Sequence, residues 1–193
     1  MRQPITIEPF NPFIPILLFQ TTEIKPPETE AALQALKDIL NIVGVQLPIE
    51  KCSTVLIGPE VLYPEIVLRN LNRQEQSHYS LILTRYPMKP NLFGCALRGV
   101  GAIISLREFE KFKLYLELLK QLVYHEFGHV FCSPNEHRAC RCSHRHCTNR
   151  GCAMRQGYYV NDWIKFAEER RRTGIVYCSE CINDLRRYFN NRN

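Results

Sequence analysis

Five of the six histidines and four of the nine cysteines fall between residues 125 and 147, in HEFGHVFCSPNEHRACRCSHRHC, and Cys152 follows closely. His125 and His129 are four residues apart, so on a helix both imidazoles leave the same face and can grip one zinc ion. Glu126, between them, can take the proton from a water at the metal's open position as that water attacks a carbonyl. The surrounding helix is strongly apolar, where unpaired polar side chains would be costly, which favours a metal site over two incidental histidines. A catalytic zinc needs a third protein ligand. In the simplest extended motif a glycine follows the second histidine by three residues and the third histidine by six. Those positions are Cys132 and Asn135, so the third ligand must lie further on.

Further along come His146-Cys147, then Cys152, Met154 and the pair Cys178 and Cys181 in CSEC. Here the chain resembles the archaemetzincins, zinc metallopeptidases of the metzincin clan. Their motif is HExxHxxGxxH with a cysteine directly after the third histidine, then Cys-x-Met and finally CxxC. The match runs from the long helix to the C-terminal helix, and more loosely over RGVGAIISL, which looks like the family's substrate-lining edge strand. The resemblance implies His125, His129 and His146 as catalytic zinc ligands, Glu126 as general base and Met154 as the methionine of the turn beneath the site. It implies a structural zinc on Cys147, Cys152, Cys178 and Cys181, hence two ions per chain. Four thiolates in two pairs independently suit a closed tetrahedral site that ties a loop-rich segment to its last helix. The chain departs from the pattern in three ways: Cys132 replaces the glycine, eleven residues (133–143) are inserted between the second and third histidines, and the spacer from Met154 to Cys178 is longer. His137 and His144 therefore stand as alternative third ligands. Cys140 and Cys142 have no assigned task, and Cys52 and Cys95 read as core thiols.

These residues need elements to position them. A helical stripe of Phe112, Tyr115, Leu116, Leu119, Leu122, Val123 and Phe127 predicts a long helix from about Phe109 that carries the histidines. Upstream, ETEAALQALKDILNIVG reads as a helix stopped by Gly44. ITIEPF, PILLFQ, STVLIG and HYSLILTRY read as strands, and CALRGVGAIISL as two short strands meeting at Gly99 and Gly101. From about Ser133 the chain reads as loop, closing with a helix over CINDLRRYFNN. The expected fold is α/β (α+β): a metzincin-like mixed sheet with a long active-site helix, plus a small cysteine-rich zinc-bound subdomain. The division falls at 1–132 and 133–193.

Charge sharpens the partner question. Residues 1–137 carry 13 Lys and Arg against 14 Asp and Glu, whereas residues 138–193 carry 12 against 5. The basic excess thus sits at the cysteine-rich end, where arginines can offset the −2 of a four-thiolate zinc. Peptide or protein is the expected substrate, nucleic acid and membrane are not expected partners, and a monomer is assumed. The alternative is a catalytically weak or inactive metzincin-like protein that binds protein or nucleic acid through its basic C-terminal part. No run of eighteen apolar residues occurs, and FNPFIPILLFQ is cut by Pro12 and Pro15, so it reads as a strand rather than a signal or membrane span. Cysteines set among histidines point to a reducing, cytoplasmic setting.

Overall fold

The computed structural model describes residues 14–52, 63–72, 78–89, 92–107, 109–131, 134 and 146–190. Five strands, β1 (Ile16–Gln20), β2 (Ile49–Lys51), β3 (Tyr79–Thr84), β4 (Gly94–Leu97) and β5 (Gly101–Ser105), form one sheet in the order β2-β1-β3-β5-β4. β4 runs antiparallel to β5, and the other pairings are parallel. Every residue of β3 and β5 is buried, as apolar strands covered on both faces must be.

Strand alternation sorts the side chains between two layers. Leu81, Leu83, Ala102 and Ile104 join the main core with α1 (Pro26–Val43), α3 (Tyr115–Val130) and α5 (Ser179–Asn190). Ile82 and Ile103 turn the other way, onto Met88 and Leu68 of α2 (Pro64–Asn72). α4 (Val160–Thr173) packs on α3. On α1 the apolar residues Ala32, Leu33, Leu36, Ile39, Leu40 and Val43 are all buried, and Gly44 ends the helix in the left-handed conformation, φ 75°. Glu28, fully buried in the first turn of α1, accepts from the Lys25 N–H and from Arg85 Nη2 at 2.6 Å. Arg85 also meets Glu110.

Three expectations need correction. The active-site helix begins at Tyr115, not Phe109. The preceding N–H groups of Phe109, Phe112 and Tyr115 each bond the carbonyl three residues back, in successive turns, while Phe109 packs on Phe93. The GAIIS segment is not the sheet's edge: β5 lies between β3 and β4, so β4 is the edge strand. Its unbroken burial is the reason, since an edge strand exposes one flank. Finally, α4 occupies part of what reads as loop. Tyr158 and Tyr159 N–H both donate to Asp162 Oδ2 at its start, and Gly174 closes its end. ITIEPF and STVLIG lie outside the described residues. No helix among the described residues is long and apolar enough to cross a membrane.

Candidate metal centres

The last turns of α3 carry His125, Glu126 and His129, the first two buried. His125 Nδ1 lies 2.8 Å from the Ala153 carbonyl. A carbonyl only accepts, so Nδ1 carries the proton and Nε2 presents its lone pair. That lone pair points where it is needed: His129 Nε2 sits 3.3 Å away. His146, from the loop before α4, stacks on His125 at 5.1 Å between ring centroids and stands edge-on to His129 at 5.0 Å. One ligand atom from each lies within 4.8 Å of the others. Two nitrogens at roughly 2.0–2.1 Å from a tetrahedral zinc are about 3.3–3.4 Å apart, so the His125–His129 spacing fits the ion. Burial, then the neighbouring His129 and His146, hold the His125 pKa well below its usual value, which keeps the ring neutral and able to bind metal.

Beside the imidazoles, burial pushes the Glu126 carboxyl up to about 8. A divalent cation next to it would act in the opposite direction and favour the carboxylate. Glu126 rests against the start of the edge strand, where a Cβ at Gly94 would overlap its carboxyl group. Beneath the helix Met154, wholly buried, presses its sulfur onto Gly128. Trp163 of α4 closes another side, edge-on to the His125 ring at 4.9 Å.

The second cluster gathers Cys147, Cys152, Cys178 and Cys181, again with ligand atoms within 4.8 Å of one another. Cys147 and Cys178 sulfurs are 3.7 Å apart and those of Cys152 and Cys181 3.5 Å. Zinc–sulfur bonds of roughly 2.3 Å place tetrahedral thiolates about 3.8 Å apart, so this donor set also fits zinc. Hydrogen bonds among the sulfurs pull Cys147 down, chiefly from Cys152, and Cys178 down, chiefly from Cys147. The Asn149 N–H reinforces this at Cys147 Sγ, and the Cys178 N–H donates to Cys152 Sγ.

All four cysteines, three histidines, Glu126 and Met154 singled out in the sequence thus meet at two adjoining centres. His137, His144, Cys132, Cys140 and Cys142 lie outside the described residues. Cys52 and Cys95 are half-buried, Cys95 against the layer under α2. Gly94, the Ala153 carbonyl, Trp163 and Tyr177 are site residues that spacing does not reveal; only Trp163, the single tryptophan, offered a compositional hint. Two C-terminal arginines pack against neighbouring side chains. Arg170 bonds Gln121 Oε1 and Glu117 Oε2 of α3, and Arg155 lies over the Phe166 ring.

Two solved structures share this arrangement of a five-stranded mixed sheet and a histidine-bearing helix in overall fold. One is archaemetzincin from Methanopyrus kandleri, with a TM-score of 0.69 and 19% identity over 94% of this chain and 98% of that one. Another is a zinc-dependent peptidase from Methanocorpusculum labreanum, with a TM-score of 0.58 and 16% identity over 88% of this chain and 99% of that one. The chain therefore has the archaemetzincin fold, in agreement with the resemblance read from its motifs. No protein-family model matches the sequence, and no curated protein does.

Proposed function

We propose that the chain is a zinc-dependent peptidase in which His125, His129 and His146 hold a catalytic zinc and Cys147, Cys152, Cys178 and Cys181 a structural one. The observation that supports this most strongly is the 3.3 Å approach of two Nε2 atoms, with His146 packed on both rings and a buried carboxylate alongside. Zinc, when bound, polarises a carbonyl and acidifies water. The protein supplies the rest. The Ala153 carbonyl fixes the tautomer and rotation of His125. Glu126 accepts the proton of the attacking water and returns it to the leaving amine. β4, the edge strand, offers backbone groups to an extended peptide, and the bare backbone of Gly94 lets the Glu126 carboxyl lie close against that strand. Residues 1–132 form the sheet-and-helix subdomain in this reading, and 133–193 bring the third ligand, the methionine turn and the cysteine site.

Within the basic C-terminal part, Arg170 braces α4 against α3 and Arg155 covers Phe166. The test is cleavage of a diverse peptide library by the zinc-loaded chain, compared with Glu126→Gln. Cleavage lost in the variant is expected; no cleavage by the native chain, or equal cleavage by both, overturns the proposal.

A further inference from the structure

We infer that the cysteine site builds the histidine site, so that the histidines hold metal tightly only once the four cysteines have closed around theirs. This inference rests on the two-zinc reading above. Three couplings carry it, each one residue away from a cysteine.

His146 is joined directly to Cys147, whose N–H donates to the Met154 carbonyl at 2.9 Å. Ala153 follows Cys152. Its carbonyl holds His125 Nδ1–H, and its own N–H donates to the Val176 carbonyl at 2.7 Å. Tyr177 precedes Cys178. Buried, it donates its hydroxyl to the Tyr124 carbonyl at 2.6 Å, and Tyr124 immediately precedes His125 on α3. Cys147, Cys152 and Cys178 therefore each have a neighbour that places an imidazole or the turn of helix bearing one.

The segment 146–158 forms no helix and no extended strand, so these few bonds and the sulfurs fix its course. α5, in contrast, is tied to the core independently of metal. Phe189 packs on Phe131 with centroids 4.9 Å apart, Tyr188 and Tyr79 hydroxyls meet at 3.1 Å, and Leu185 is fully buried. Opening the cysteine site leaves the sheet, α3 and α5 in place while His146 and the Ala153 carbonyl lose their positions. Tyr177 is a positioning residue in this scheme, acting through the helix and touching no metal. Linkage makes the effect mutual: filling the histidines tightens the cysteine site by the same factor.

Cobalt(II) titration of the full chain, first stripped with a chelator, reads the two sites separately, because thiolate ligation gives intense charge-transfer absorption that imidazole ligation lacks. The thiolate band is expected to saturate before the histidine-site ligand-field absorption appears. Cys178→Ser is expected to weaken cobalt at the histidines by about a hundredfold, and Tyr177→Phe, which keeps all four thiols, by about tenfold with the thiolate band intact. Should Cys178→Ser fail to fold, Tyr177→Phe decides. Histidines that fill first, or with native affinity in Tyr177→Phe, overturn the coupling alone; histidines that never take cobalt in the native chain overturn the coupling and the two-zinc reading together.

Discussion

Gly128 and Met154 touch so closely that no side chain fits between them: a Cβ added to Gly128 would overlap the Met154 sulfur outright. Gly128 lies inside the HEFGH turn and Met154 two residues after Cys152, so this contact sets how near the loop carrying His146 can approach α3. The glycine is there for packing, since it sits in ordinary helix where glycine otherwise costs about 1 kcal/mol against alanine.

Gly128→Ala is therefore expected to destabilise despite its better helix propensity. Overpacking a closed core costs about 1–3 kcal/mol, or roughly 2–12 °C in Tm for a chain of this size. Thermal unfolding with zinc present checks it. An unchanged or higher Tm would show that the methionine loop moves aside freely.

Glu126→Gln keeps the shape of the side chain and removes its basicity. Peptide cleavage should fall by about a hundred- to ten-thousand-fold, the usual contribution of a positioned base. Zinc content, measured by mass spectrometry of the intact complex, should not change.

Gly94→Val places branched bulk against the Glu126 carboxyl. Peptide turnover should drop while zinc content stays native, because β4 contributes no ligand. Loss of zinc in this variant would mean that the strand supports the ligands rather than the base.

Glu28 is fully buried, and the Arg85 side chain that pairs with it is only 14% accessible. Arg85→Met leaves that carboxylate without its cation and should cost about 3 kcal/mol in urea unfolding. Adding Glu28→Gln should recover part of the loss, because the uncompensated charge is then gone.

Thiol chemistry separates the two kinds of cysteine. Burial, then Glu126 and Glu65, push the Cys95 thiol up to about 12, so near neutral pH it is almost wholly protonated and should alkylate slowly, faster only as the pH climbs toward that value. Cys147 and Cys178, whose thiols are pulled down, should be protected while zinc is bound and become the quick ones once a chelator removes it. Peptide mapping after timed alkylation checks both statements.

What was legible in the sequence was what periodicity and short spacing encode. The four-residue step from His125 to His129 fixes a shared helix face, and the Gly44 stop and apolar stripe of α1 follow local rules. His146 could be singled out because Cys147 adjoins it in a recognisable pattern. Other features depend on contacts between distant residues. The Ala153 carbonyl and Tyr177 hydroxyl meet α3 across 28 and 53 residues of chain and leave no periodic trace. α4 was missed because its cap uses backbone groups of Tyr158 and Tyr159 on Asp162, without the usual serine or threonine at the start. β5 was misread as the edge because two short strands around Gly99 and Gly101 do not say which of them pairs again with β3.

Zinc-edge anomalous diffraction from one crystal of the zinc-loaded chain tests the central claim most directly. Two peaks are expected, one bounded by His125, His129 and His146 and the other by Cys147, Cys152, Cys178 and Cys181. A single peak, or a first site completed by His137 or His144 in place of His146, would contradict it.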